Sequence, residues 1–413
     1  MDRDRLTGAD FLRAIGCILI LLHHYAQTID PATLSSFPRF VINQLVSSGP
    51  IAISIFFALS GFLLALPFWK DLDDGRDFPS LRNYFLRRGA RIIPGYLLAL
   101  SVTFVLSVIL FGRTLDLELL ERFVAGLLLI NGWNWISFFP VEINGPLWSI
   151  SFYATSYAFL LVAFAALFLH RSSFRHAWQS RAAWFLVILT SLLLHAIFLK
   201  TLRPPVTLNT WDDGFIGLAR MWWPSYNPIG LFAIFAIGSL TAGLVTTQQG
   251  EHSRTDVAYR MAFLVVGTVV VVSYGGLITG EGISLGLPSA FPFGPLLVGT
   301  VLLLAPAFPK TSSRIENALV RYIARISFGI YVWHALFIGL AEYTAEKFGL
   351  GEGGKQFSWQ LALVMLSIAT IAVFAVASLS YRFFELPLMN RAKKIEATGK
   401  PAPGERASKN PTL

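Results

Sequence analysis

The sequence predicts an all-α fold: a polytopic integral membrane protein with about ten transmembrane helices and both termini cytoplasmic. Three observations carry that expectation: an apolar composition, apolar runs of bilayer length, and a one-sided distribution of Lys and Arg. Of the 413 residues, 54% are hydrophobic and only 14% charged. With a mean hydropathy of +0.60, the chain is far more apolar than soluble globular proteins. A crossing helix needs roughly 17 to 25 predominantly apolar residues. Eleven runs approach that length, starting near residues 9, 49, 92, 123, 147, 183, 227, 261, 291, 326 and 359.

The first run, "DFLRAIGCILILLHHYAQTID", is interrupted by Arg13 and is followed by no small-residue cleavage site. It reads as a retained first span and not as a signal peptide. "GPIAISIFFALSGFLLALPFW", "LWSISFYATSYAFLLVAFAALFL" and "WQLALVMLSIATIAVFAVASLSYRFF" are long uninterrupted spans. The fourth run, "FVAGLLLINGWNWISFF", is short and Trp-rich and carries Asn131, Gly132 and Asn134. It suits an interfacial or re-entrant piece. Setting it aside leaves ten spans and brings both chain ends to one side.

Basic residues test that count, because Lys and Arg accumulate on cytoplasmic loops. The loops at about 70 to 91, 170 to 182, 248 to 260 and 309 to 325, with both termini, hold about 23 of the 33 Lys and Arg. An eleventh span would carry "HRSSFRHAWQSR" to the outside and weaken the bias. The net charge of +9 follows from these loops and a basic tail, so it calls for no nucleic acid partner; the partner is the lipid bilayer. The single cysteine, Cys17, excludes an intramolecular disulfide and a multi-cysteine metal site. Residues 1–390 read as one membrane domain, and "RAKKIEATGKPAPGERASKNPTL" (391–413) as a disordered basic cytoplasmic tail. No internal repeat of the transporter kind is visible.

Helix geometry singles out one stripe of the first span. Arg13 and His24 are eleven positions apart, so they point within about 20° of each other, about 16 Å apart along the axis. Asp10 shares the stripe. His23 points about 80° away, toward a neighbouring helix or the headgroups. An arginine and an imidazole in one span are expensive in hydrocarbon, and their alignment predicts the wall of a wet, protein-lined cavity. Snorkelling of either residue to an interface explains each singly but not the shared face. Histidine is the natural general base near neutral pH. The other polar residues read more plainly. His195 and His334 are structural or interfacial, Cys17 is packing, and Glu385 pairs with Arg382 at i, i+3 or caps the span. Ser60 and Gly61 allow close helix approach.

The stretch "ADFLRAIGCILILLHHY" resembles the first span of the acyltransferase 3 family of integral membrane acyltransferases, with its arginine, ten residues, then a histidine; Arg13 and His24 fit. Asp10 matches the acidic position before the arginine, and Phe11 stands where glycine is usual. "FFALSGFLL" resembles the family's FF-x-LSGFL, and "RRGARIIPGYLLAL" its Arg-x-x-Arg element, filled here by Arg88 and Arg91. "ISFGIYVWHALF" and "SYRFFELPLM" match the usual last two spans, so the resemblance runs the length of the chain in order. One position departs: in "LWSISFYATSY", Trp148, Ser149 and Ser151 keep the W-S/T-L-S-x-E pattern, but Tyr153 occupies the place of the glutamate.

The resemblance implies an enzyme, an O-acetyltransferase-like acyltransferase of the cell inner (plasma) membrane. It would move an acyl group from cytoplasmic acyl-CoA (acetyl-CoA) to a hydroxyl of an envelope glycan or glycosylated small molecule, with no metal. It implies catalytic roles for His24 and Arg13 and donor binding by Arg88, Arg91 and Arg13. Substrate-binding roles follow for Trp148, Ser151 and Tyr153. His24 would act as general base, or as nucleophile in an acyl-imidazole relay. A transporter or flippase using Arg13 and His24 as clamp and proton relay is the reading from another class, and a silent scaffold a third.

Overall fold

The computed structural model describes residues 8–201, 214–247, 291–350 and 358–398. Among these the α-helices are α1 (Ala9–Gln27), α2 (Ser36–Val46), α3 (Gly49–Asp73), α4 (Leu81–Ile109), α5 (Leu117–Leu127), α6 (Ser149–Leu169) and α7 (Ala177–Thr201). Then follow α8 (Gly214–Trp222), α9 (Pro228–Thr247), α10 (Phe293–Leu304), α11 (Pro309–Ile315), α12 (Ala318–Lys347), α13 (Trp359–Ser380) and α14 (Leu386–Thr398). Among the described residues, 8 helical stretches are long and apolar enough to cross a membrane, counting α2 with α3 and α13 with α14 as continuous. The protein is an all-α polytopic membrane protein. The run expected from residue 261 lies outside the described residues, and the run from 291 contains the shorter apolar α10.

The fourth apolar run does not form a span-length helix. Its helix α5 has 11 residues, about 16 Å of rise against a hydrocarbon core of about 30 Å. Arg122 of α5, 1% exposed, donates to the Phe139 carbonyl at 2.9 Å and to Glu142 at 3.0 Å. The chain after α5 is thereby folded back on the bundle.

At the centre, α3 and α9 touch backbone to backbone. A Cβ on Gly61 would lie 1.9 Å from the Phe235 carbonyl oxygen, and one on Gly238 would lie 1.8 Å from that of Ala58. Small residues on both helices therefore set the crossing, as the "LSGF" stretch implied. Near the end of α3, Arg181 of α7 holds both Asp73 carboxylate oxygens at 2.6 Å. It also donates to the Gly243 carbonyl and lies 4.5 Å from the Trp69 ring centroid.

Two expectations need correction at the end of the chain. A π turn over Tyr381–Glu385 rotates Glu385 inward to 2% exposure, while Arg382 lies over the Phe383 ring. The wider turn separates the two side chains, so the i, i+3 arrangement is not formed. The chain also stays helical past residue 390, through Thr398, because Ala392 is buried and Glu396 meets Arg87 of α4 at 3.6 Å. Residues 399–413 of the expected tail lie outside the described residues.

Candidate active site

Helix α1 is seated by its N-terminus. The Glu316 carboxylate, from the turn before α12, accepts from the backbone N–H groups of Gly8, Asp10 and Phe11 at 2.9, 3.1 and 3.2 Å. These are amides that a helix start leaves unpaired, and the carboxylate meets the positive end of the helix dipole. Gly8 adopts φ 91°, and a Cβ there would lie 2.8 Å from that of Ala305, so glycine is required twice over. From this anchor α1 runs alongside α12 in the same direction. Cys17 Sγ lies 3.8 Å from the Ser327 carbonyl, and the His24 and His334 ring centroids are 5.0 Å apart. Each pair of markers is seven residues apart on its helix, the same rise of about 10 Å.

Arg13, Arg88, Arg91 and Tyr153 line one cavity of about 110 Å³, together with Phe56, Ser60, Tyr157 and Tyr331. Arg13 lies 3.5 Å from Asp10. Arg88 and Arg91 also line a second chamber of about 190 Å³, with Arg87, Tyr84 and Lys393. The two arginines thus stand between the two chambers. Tyr153 is stacked on Phe57 at a centroid distance of 4.3 Å. Phe56 and Tyr331, whose rings meet at 5.6 Å, complete this part of the lining. The Tyr331 hydroxyl donates to the Pro146 carbonyl at 3.0 Å and lies 2.7 Å from Ser149 Oγ.

His24 does not line the cavity. Its Nδ1 is 2.9 Å from Gln27 Oε1; with Nδ1 donating to that oxygen, Nε2 is left with the lone pair. His23 is placed differently. Its Nδ1 lies 2.7 Å from the Val46 carbonyl, and its ring fills the space beside Gly49, where a Cβ would come within 2.6 Å. Trp148 and Ser151 do not line the cavity either. Ser151 Oγ accepts from the Gly132 amide and donates to the Trp148 carbonyl, both at 3.1 Å. Trp148 stacks on Phe138 at 5.1 Å. Both residues brace the segment that folds back after α5.

Sequence reasoning passed over Tyr331, Tyr157 and the pairing of His334 with His24. The available signal was spacing: Tyr331 and His334 are three apart on α12 and share a face with Ser327.

The chain matches the acyltransferase 3 family, described as an acyltransferase domain, over residues 6–382. The chain belongs to the acyltransferase 3 family. Acyltransferase MdmB of Streptomyces mycarofaciens is 25% identical over 424 residues, covering 97% of each chain. A "Putative O-acetyltransferase" of Staphylococcus aureus (strain COL) is 23% identical over 174 residues, 40% of this chain and 25% of that one. "Protein 2 in picA locus" of Rhizobium radiobacter is 27% identical over 156 residues, 36% of this chain and 73% of its own. Like the family, this chain is a membrane-embedded acyltransferase. Among the described residues no group of three His, Cys, Asp or Glu side chains is placed to hold a metal ion.

Proposed function

We propose that the protein is an O-acyltransferase of the cell inner membrane, with ten spans and both termini cytoplasmic. It takes an acyl group, acetyl in the simplest case, from cytoplasmic acyl-CoA and delivers it to a hydroxyl of an envelope glycan or glycosylated small molecule. The observation that supports this reading is the convergence of Arg13, Arg88 and Arg91 on one cavity, with Arg13 and His24 on the same helix α1. Guanidinium groups bind phosphates through charge-assisted, often bidentate hydrogen bonds. The nucleotide of the donor would stay at the mouth, with Arg88 and Arg91 on its phosphates and Arg13 a little deeper. Its thin pantetheine arm would extend past Tyr153 toward Tyr331.

In this reading His24 Nε2 takes the proton of the acceptor hydroxyl as that oxygen bonds to the thioester carbonyl carbon. The C–S bond then breaks, and the proton passes from Nε2 to the departing sulfur, giving ester and free CoA thiol. A positioned base of this kind contributes about 10² to 10⁴ in rate. Tyr153 would meet the donor arm or the acceptor, while Trp148 and Ser151 would serve the acceptor indirectly, by shaping the braced segment around them.

The test is direct. Purified full-length protein is mixed with radiolabelled acetyl-CoA, first alone to measure binding and then with a panel of glycans and glycosylated small molecules. Saturable binding that competes with free CoA, and label moving to an acceptor, are expected. Failure to bind acetyl-CoA at all would remove the reading and favour a transporter.

A further inference from the structure

His334 is left without a task by the scheme above. It is 0% exposed. Its Nδ1 lies 2.7 Å from the Tyr331 carbonyl, which can only accept, so Nδ1 carries the hydrogen and Nε2 is a bare acceptor in the neutral ring. Nε2, the nitrogen farther from the backbone, is buried without a hydrogen-bond partner. Unpartnered buried acceptors are rare because their desolvation is uncompensated. The ring lies against His24, centroids 5.0 Å apart and planes tilted by 37°.

His24 has a complementary problem. His24 is half-buried, and as a base it must become an imidazolium against a fully buried ring, where an unpaired charge is costly. Bases of this type are commonly oriented by a carboxylate. Among the described residues no carboxylate pairs with His24. The titratable side chains against its ring are His23 on its own helix, 4.7 Å away, and His334 on α12. On α2 the Val46 carbonyl is taken by His23.

We infer that His334 is a positioning residue for His24: its fixed, neutral Nε2 lone pair, with the Gln27 carbonyl, stabilises the imidazolium that His24 becomes during acyl transfer. Two oriented dipoles thus do what a carboxylate does in other bases. His334 gains and loses no proton; the proton moves from acceptor oxygen to His24 Nε2 and on to sulfur. The inference rests on His24 as the base, and its test separates the two.

Diethylpyrocarbonate acylates unprotonated imidazole, so the pH dependence of His24 modification, read by peptide mass spectrometry on the intact protein, reports His24 basicity without any acceptor. His334→Phe should lower that midpoint by about 0.5 pH unit or more, roughly threefold in proton affinity. His334→Gln, which keeps a neutral acceptor, should stay near the parent. Single-turnover cleavage of acetyl-CoA should fall about tenfold in His334→Phe and much less in His334→Gln. His334→Met provides a second apolar variant should the phenylalanine fail to fold. An unchanged His24 midpoint in the apolar variants, or a glutamine variant as impaired as they are, overturns the inference. Parental cleavage by His24→Ala would instead defeat the base assignment, while the midpoint shift would still report whether His334 acts on His24.

Discussion

Gly61 of α3 lies against the backbone of Phe235 in α9, so close that a Cβ would fall 1.9 Å from the Phe235 carbonyl oxygen. That atom belongs to the main chain and has no rotamer to escape into, so the helices must part if a side chain is added. Gly61→Ala and Gly238→Ala are expected to destabilise the protein by about 3 kcal/mol or more, at the upper end of overpacking costs. Gly89→Ala is the matched control, since its Cβ would meet only Ile93 at 3.5 Å and alanine is the better helix former by about 0.5 to 1 kcal/mol. Thermal unfolding in detergent should rank Gly89→Ala at or above the parent and the other two well below it.

The seat of α1 gives a second expectation. Glu316→Ala leaves the Gly8, Asp10 and Phe11 amides without their carboxylate, a loss of about 1 to 3 kcal/mol for stranded buried donors. Glu316→Gln keeps a carbonyl acceptor and loses only the charge, about 0.3 to 1 kcal/mol of dipole interaction. Hydrogen exchange over residues 8–14 should rise strongly in the first variant and weakly in the second. Equal protection in both would mean that packing alone holds the helix start.

Arg88 and Arg91 border both chambers. Replacing either with alanine should weaken acetyl-CoA binding about tenfold or more, from about 1.5 to 3 kcal/mol for a charge-assisted contact. The double variant should raise the donor KM without a comparable change in acceptor KM. Parental donor affinity in the double variant would reduce these arginines to topology signals.

The neighbouring histidines of α1 should part company. His24→Ala removes the proposed base and should abolish transfer, while donor binding persists through the arginines. His23→Ala should keep its chemistry and lose only modest stability, because it gives up the bond to the Val46 carbonyl at 2.7 Å, a neutral hydrogen bond of about 0.5 to 1.5 kcal/mol. Single-turnover transfer, normalised to folded protein, is the measurement. Equal loss in the two variants would return both residues to a structural role.

What the sequence made legible was whatever depends on one helix at a time. Apolar run length announced the long helices and also the weakness of the fourth run, and the 3.6-residue period separated His24 from His23. Arg13 of α1 was visible because charge is expensive in lipid, whereas Arg88 and Arg91 of α4 stood out only through the resemblance to the family's Arg-x-x-Arg element. What stayed hidden needed two elements at once. His334 looked like an isolated structural histidine, since nothing in the local pattern of α12 says that α1 lies beside it. Trp148 and Ser151 carried a recognisable pattern, yet their hydrogen bonds and stacking belong to a segment whose return path no periodicity encodes. The π turn at Tyr381–Glu385 was hidden for another reason: one extra residue in a turn leaves no compositional mark.

The partnership of α1 with α12 also bears on how the protein is made. Cys17 and Ser327, which meet across these helices, are 310 positions apart. At about 5 to 20 residues per second, synthesis of the stretch between them takes tens of seconds, and α1 spends that time without the helix that completes its face. Before α12 is made, the growing chain comes to carry Arg13, Arg88 and Arg91, yet it lacks Tyr331 and His334. The Tyr331 side of the cavity and the ring packed on His24 are thus supplied only after every arginine of the site has been made.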